Sequence, residues 1–124
     1  MYKLYPIEYM LEDEFIKNIN KIQLIEPIWK GLIISNKCIL VELWKKFKNH
    51  PYLLEAKYEE DKSFVKKPKL AREGADIILP NNSELSLSSD EFYKKNGYIY
   101  QEYCKPPLIN DYYPIIGSWI INNK

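Results

Sequence analysis

The helical and strand-like patterns of this sequence fall in two separate halves, and their order limits the possible folds. Residues 1–50 carry apolar side chains at helical spacing, whereas residues 63–121 contain short apolar runs separated by proline, glycine and serine. Sequences in which helices come before strands, rather than alternating with them, form α+β folds with antiparallel sheets. The 124 residues therefore predict a single α+β domain, helical over residues 1–50 and β-rich over residues 63–121.

Proline starts, capping residues and apolar stripes define the individual elements. Helices are predicted at residues 5–22, 26–34 and 36–48. Strands are predicted at residues 63–67, 75–80, 98–104 and 115–121, with a helical turn at 91–95. The acidic residues near the start of the first helix are interpreted as a solvated face, because the helix dipole favours negative charge there. They are Glu8, Glu12, Asp13 and Glu14.

The composition indicates an ordinary globular protein. Hydrophobic residues make up 46% of the chain and charged residues 28%, which is too apolar for intrinsic disorder. The net charge is +1 and the charges are interspersed, so no nucleic-acid-binding surface is expected. No apolar run is long enough to cross a bilayer, and residues 1–9 lack a signal-peptide pattern. Cys38 and Cys104 lack the paired spacing of a zinc motif, so we expect reduced thiols in a cytoplasmic protein.

Arginine occurs once, at Arg72, whereas lysine occurs 17 times. A guanidinium presents a planar fork that binds phosphate or carboxylate through two parallel hydrogen bonds, which an ammonium does poorly. Arg72 is therefore a candidate for binding an anionic group. The alternative is that its uniqueness reflects chance.

Two further candidate anion-binding features contain lysine. Lys37 opens the third predicted helix, where exposed first-turn amides and an ammonium together would bind an anion such as phosphate. The loop of residues 67–74 places Lys67, Lys69 and Arg72 before Gly74, and such loops can lie over phosphates. It lacks the G-x-x-x-x-G-K-[ST] pattern of a P-loop. The alternatives are an ordinary surface lysine and a charged hairpin loop.

The strand predicted at residues 98–104 carries a side-chain amide at Gln101. A strand edge with an amide between apolar neighbours can hold a purine; the alternative is an ordinary strand with two alternating faces. His50 is the only histidine and lies in a predicted turn, so no hydrolytic triad can be assembled around it. A cation at a helix start, a cation-rich loop and an amide-bearing strand, in this order, are the parts that an ATP site between two α+β layers would use.

Short motifs spaced over nearly the whole chain resemble one family. They are LYP at residues 4–6, EPIWK at 26–30, SNK at 35–37, NHP at 49–51, KP at 67–68, REGA at 72–75, YIYQ at 98–101 and IGSW at 116–119. Together they resemble the ATP-grasp synthetase domain of glutathionylspermidine synthase and trypanothione synthetase. The resemblance implies a partial ATP-grasp-like fold and an ATP-dependent carboxylate–amine ligase. In this family ATP phosphorylates the glycine carboxylate of glutathione, and an amine of spermidine attacks the acyl phosphate.

The resemblance also implies roles for single residues. Lys37 and Lys67 would hold the phosphates of ATP, and Arg72 would close over the transferring phosphoryl group. Gln101 would contact the adenine region. The loop that covers the phosphates would include Glu73 and Gly74. In the family the magnesium ligands and most glutathione-binding positions lie upstream of the matched segment, so Mg²⁺ ligands are expected outside this chain.

Three interpretations stay open at this level. The chain is one part of a ligase that works with a second polypeptide, which would supply the metal and substrate sites. Alternatively, it is a non-catalytic nucleotide-binding remnant. The third interpretation is an interaction domain unrelated to the family.

Overall fold

The computed structural model describes residues 5–25, 27–84 and 91–117, and within these ranges the architecture is α+β, as predicted. The helices are α1 (Ile7–Glu12), a 3-10 helix (Glu14–Lys21), α2 (Ile28–Ser35), α3 (Cys38–Lys46) and α4 (Glu91–Lys95). The strands are β1 (Ala56–Lys57), β2 (Val65–Pro68) and β3 (Tyr98–Gln101). None of the helices in these ranges combines the length and apolar character that crossing a bilayer needs.

The strands form one antiparallel sheet in the order β1–β3–β2. β3 is the central strand, and its last residue, Gln101, pairs with Ala56 on one side and Val65 on the other. β2 and β3 share four residue pairs, which run from Val65↔Gln101 to Pro68↔Tyr98. Since strand residues alternate between the two faces, this register decides which side chains of β2 and β3 meet.

α3 packs on the sheet and completes the core. Val41 of α3, Ala56 of β1 and Ile99 of β3 are buried together. Lys45 and Lys46 end the helix, where the dipole favours positive charge. The sequence predicts this helix because its apolar residues recur every three to four positions, and it begins as expected: the side chain of Asn36 accepts a hydrogen bond from the N–H of Cys38 at 2.9 Å.

The first predicted helix is divided into two. Asp13 adopts an extended conformation, with φ −85° and ψ 156°, and separates α1 from the 3-10 helix. Its carboxylate accepts a hydrogen bond from the hydroxyl of Tyr5 at 2.8 Å. Asp is among the residues that interrupt helices because its side chain hydrogen-bonds locally. The apolar periodicity over residues 5–22 predicted one continuous helix and did not predict this break.

The strand predicted at residues 75–80 does not form. Glu73, Gly74 and Asp76 have φ values of 56°, 76° and 53°, which turn the chain and prevent an extended run. Only Ile78 pairs with the sheet, through two backbone hydrogen bonds to Lys66 at 2.9 and 3.0 Å. The segment is therefore a loop that returns once to the edge of β2.

Two further predictions fall partly outside the described ranges. In the strand predicted at 115–121, residues 115–117 are exposed and do not form a strand. Residues 118–121 lie outside the described residues. The polar segment 81–90 is a turn as far as residue 84, and residues 85–90 are likewise outside. The assignment of residues 1–124 to one domain stays a prediction.

α2 is apolar but leaves its side chains uncovered. None of its residues is buried, and Trp29, Ile33 and Ile34 are exposed. Trp29 and Ile33 are four positions apart, so their exposed side chains share one face of α2.

We expect Ile99→Ala to lower the free energy of unfolding by about 2–5 kcal/mol, because Ile99 is fully buried and its truncation leaves a cavity between α3 and the sheet. The measurement is urea denaturation followed by circular dichroism. Ile115→Ala is the matched control, since Ile115 is fully exposed and its truncation should change stability by no more than about 0.5 kcal/mol. Equal effects of the two substitutions would contradict the position of this core.

Candidate functional site

The pairing of β2 with β3 brings Lys67 and Gln101 together. Lys67 pairs with Ile99, and Gln101 pairs with Val65, so the two polar side chains are diagonal neighbours on one face of the sheet. The ammonium of Lys67 donates a hydrogen bond to Oε1 of Gln101 at 2.7 Å. Gln101 is buried and Lys67 half-buried, so this bond fixes the position of the lysine side chain.

Lys37 lies at the start of α3 and ties this helix to the loop that follows β2. Its ammonium donates to the backbone oxygen of Ala71 at 2.8 Å, and its N–H donates to the backbone oxygen of Lys69 at 2.8 Å. The N–H of Lys69 in turn donates to the backbone oxygen of Gly97, at the start of β3, at 2.9 Å. The loop is therefore anchored to both the helix and the sheet.

The first-turn amides of α3 are not available for an anion, which corrects one expectation from the sequence. Besides the N–H of Lys37, the N–H of Cys38 is bonded to the Asn36 side chain and the N–H of Ile39 to the Asn36 backbone oxygen. Sequence position alone could not show that the loop and Asn36 saturate these donors. Any anion binding here would rest on the ammonium of Lys37.

Arg72 extends from the loop and binds a carboxylate of α1. Its Nε and Nη2 donate to Oε1 of Glu8 at 3.3 and 3.2 Å, and Nη2 also lies 3.3 Å from Oε2. The Glu8 side chain is only 5% exposed, whereas that of Arg72 is 51% exposed. The interpretation of Glu8 as part of a solvated face is therefore wrong. Glu8 belongs to the buried face of α1 with Ile7 and Met10, and the guanidinium compensates its charge.

Glu73 and Gly74 form the outer turn of the same loop. Both have positive φ, and a Cβ atom on Gly74 would meet no heavy atom within 4 Å. The N–H of Ala75 donates to the backbone oxygen of Arg72 at 3.0 Å, which closes the turn. Gly74 suits this conformation because it has no side chain to clash at positive φ. The predicted role of both residues in covering phosphates stays a prediction.

The pKa of Lys37 responds to the other positive charges of the site. Burial lowers the pKa of Lys37 below its ordinary value, and the charges of Lys67 and Arg72 lower it further, whereas Glu8 opposes this change. Burial also lowers the pKa of Lys67. Electrostatic effects of this kind require the groups to lie close together. Lys67 and Arg72 therefore both lie near Lys37, and Gln101 is bonded to Lys67.

A cleft of about 200 Å³ opens beside Lys67. Its other lining residues are mostly apolar: Leu54, Val65, Ile77, Leu79, Glu102, Tyr103 and Cys104. Tyr103 and Cys104, which follow β3, form one edge of the cleft. The sequence analysis did not identify the apolar walls of this cleft. The available signal was the spacing of two positions between Val65 and Lys67 and between Ile77 and Leu79, which places each pair on one face of an extended segment.

A second, larger groove of about 370 Å³ lies between α2 and α3. Leu32, Ile33, Asn36, Cys38, Ile39 and Glu42 line it. It contains no cation, and its lining includes none of the clustered residues. The smaller cleft is the candidate site because Lys67, which lies near Lys37 and is bonded to Gln101, forms part of its mostly apolar lining.

The described part of the chain holds no group of three or more histidine, cysteine, aspartate or glutamate residues placed to bind a metal ion. Lys67, Lys37 and Arg72 are cations and cannot serve as metal ligands. Each of these three side chains can donate hydrogen bonds to an anion.

We expect Lys67→Met to raise the pKa of Lys37, because it removes a neighbouring positive charge. The measurement is an NMR titration of the lysine side chains over the alkaline range. Lys66→Met is the matched control: Lys66 is the adjacent residue of β2, lies on the opposite face and has its ammonium 4.2 Å from the ring of Tyr98. A Lys37 pKa that is unchanged by Lys67→Met, or changed equally by both substitutions, would contradict the clustering.

Comparison with known proteins gives the family of the chain. Residues 1–124 match the family described as Glutathionylspermidine synthase preATP-grasp. The chain is 37% identical to a Haemophilus influenzae protein provisionally named an acid–amine ligase. It is 32% identical to trypanothione synthetase of Crithidia fasciculata and 33% identical to the bifunctional glutathionylspermidine synthetase/amidase of Escherichia coli.

The alignments cover 99%, 79% and 70% of this chain, but only 35%, 16% and 15% of the three relatives. The chain thus spans about a third of the first relative and about a sixth of the other two. The match over all 124 residues and the identity to these synthetases show that the chain belongs to the glutathionylspermidine synthase preATP-grasp family.

Proposed function

We propose that this chain contributes part of the ATP site of a ligase that joins a carboxylic acid to an amine. The observation that carries the proposal is that Lys67 lines a mostly apolar cleft and lies near Lys37, which is also close to Arg72. The relatives are named as an acid–amine ligase and as synthetases, which supports the reaction class. The chain spans only a minor part of them, so ligation requires further polypeptide.

The apolar cleft suits the adenine ring. Aliphatic side chains such as Leu54 and Ile77 can pack against a purine ring. Gln101 directly precedes this segment, and its amide oxygen holds Lys67. Gln101 would therefore act in the adenine region chiefly by positioning the lysine.

The cation cluster suits the phosphates. Lys37 and Lys67 are partly desolvated, which lowers their pKa, and a bound phosphate would restore a favourable partner for each ammonium. Arg72 presents an exposed guanidinium fork beside them, on a loop whose outer turn is Glu73 and Gly74. When bound, ATP supplies the phosphoryl group that activates the carboxylate. Transfer of such a group depends mainly on positioning and charge neutralisation, which these residues provide.

The other parts of the ligase would come from outside the described residues. Mg²⁺ accompanies the phosphates of ATP in such reactions, and its carboxylate ligands would lie on other polypeptide. By family, glutathione and a polyamine are the proposed substrates, and their binding sites would lie there as well. The exposed apolar face of α2, with Trp29, Ile33 and Ile34, is suited to contact that polypeptide, whether it is joined to this chain or is a second chain. We place the reaction in the cytoplasm.

A second candidate is a nucleotide-binding module that performs no ligation. The absence of a metal-binding group in the described ranges and the small share of each relative that is covered favour it for the chain alone. Adding a polypeptide equivalent to the rest of the Haemophilus influenzae relative separates the two candidates. ATP consumption that depends on acid, amine and both polypeptides supports the ligase; nucleotide binding without such consumption supports the module.

We expect Lys67→Ala to weaken ATP binding about 10- to 100-fold, because loss of a charge-assisted hydrogen bond costs about 1.5–3 kcal/mol. The measurement is isothermal titration calorimetry with Mg-ATP. Lys66→Ala is the control, since it removes the same charge from the opposite face of β2. If the wild-type chain binds no ATP, or if both variants lose affinity equally, the proposed site is wrong.

We expect Arg72→Lys to weaken ATP binding about 10-fold although the net charge is unchanged, because an ammonium cannot reproduce the planar fork of the guanidinium. Adenosine affinity should not change, since Arg72 is not among the residues that line the apolar cleft. Calorimetry with both ligands tests this. An ATP affinity of Arg72→Lys equal to that of the wild type would remove Arg72 from the site.

A further inference from the structure

Glu8 is a buried carboxylate placed against the cation cluster, and sequence reasoning gave it no role in the site. Its side chain is 5% exposed, and it accepts hydrogen bonds from Nε and Nη2 of Arg72. Glu8 lies on α1 and is 64 positions away from Arg72 along the chain. The contact therefore joins the N-terminal helix to the loop after β2.

Glu8 occupies only one edge of the guanidinium. Arginine has five N–H donors, and the contacts to Glu8 engage Nε and Nη2. Among the described residues, none accepts a hydrogen bond from Nη1 of Arg72. Half of the Arg72 side chain is exposed to solvent. The carboxylate thus fixes the plane of the fork and leaves its second edge free for another anion.

The burial of Glu8 indicates that this contact persists when an anion binds. If Arg72 left Glu8 for a phosphate, a buried carboxylate would lose its hydrogen-bonded partner, which is strongly unfavourable. Binding the phosphate through the free edge avoids this loss. Glu8 also places a negative charge among three cations and so reduces their mutual repulsion; in agreement, it raises the pKa of Lys37 against the effect of Lys67 and Arg72.

We propose that Glu8 is a positioning residue that holds Arg72 in the orientation in which its free edge meets the phosphates of the nucleotide. The inference rests on the proposed ATP site and adds to it a residue that acts only through Arg72. It differs from a simple stabilising ion pair because it ties the orientation of Arg72 to affinity for phosphates and not to affinity for adenine.

NMR can observe this contact directly, because Arg72 is the only arginine and its Nε–H gives a single arginine resonance. In the wild type we expect this resonance away from the position of free arginine. Glu8→Gln should move it towards that position, since a neutral amide offers the guanidinium one uncharged acceptor oxygen in place of a carboxylate. Glu12→Gln is the matched control, because Glu12 lies on the same helix, is exposed and has its carboxylate 3.8 Å from Lys95. A wild-type resonance at the free-arginine position would overturn the proposal.

Calorimetry then tests the link to the nucleotide. We expect Glu8→Gln to weaken ATP binding about 10-fold, which is a change of about 1.4 kcal/mol, while adenosine affinity and that of Glu12→Gln stay unchanged. The double variant Glu8→Gln/Arg72→Lys should bind ATP no more weakly than Arg72→Lys alone, because Glu8 acts through Arg72. If Glu8→Gln does not fold, Glu8→Asp replaces it in both experiments. Glu8→Asp should then show both a displaced Nε resonance of Arg72 and a weaker affinity for ATP.

The outcomes separate this inference from the proposed function. If the wild type binds ATP and Glu8→Gln binds it equally well or more tightly, the positioning role is wrong and the ATP site stands. The same conclusion follows if Glu8→Gln weakens ATP and adenosine equally, since the residue then supports only the fold. If the wild type binds neither ATP nor adenosine, the proposed function fails and the inference fails with it.

Discussion

The antiparallel pairing of β2 with β3 positions every other part of the candidate site. Its register places Lys67 diagonally beside Gln101, and it also decides where the loop after Pro68 begins. That loop is then held by two backbone contacts of Lys69, one with the start of α3 and one with Gly97. A shift of one residue would move Lys67 to the opposite face of the sheet and separate it from both Gln101 and the cleft.

The site holds several positive charges, and the negative charge near them at Lys37 comes from Glu8. Lys67 and Arg72 both lower the pKa of Lys37, and the nearby carboxylate of Glu8 opposes this change. A buried acid is stable in this position because a guanidinium lies against it. Such an arrangement leaves a positive surface beside an apolar cleft, which is the combination that an anionic ligand with an aromatic ring requires.

Much of the fold could be predicted from local patterns. α3 was predicted because Ile39, Leu40 and Leu43 recur at helical spacing and Asn36 precedes them, and both signals depend only on neighbouring residues. The strand at residues 75–80 was predicted for the same kind of reason and did not form, since the left-handed conformations at Glu73 and Asp76 override apolar preference. Gly74 carried part of that signal, but two non-glycine residues with positive φ could not be foreseen.

The order of helices and strands, the family resemblance and the residue types that can bind an anion could be predicted from the amino acids alone, because they follow from short-range spacing and side-chain chemistry. Which of these residues meet depends on how the chain packs. The tertiary structure placed Lys37 against Ala71 and Lys69, so that its ammonium donates one hydrogen bond to Ala71 and its N–H donates to Lys69. It also buried Glu8 against Arg72, a contact between residues 64 positions apart that depends on packing, which local sequence patterns do not encode.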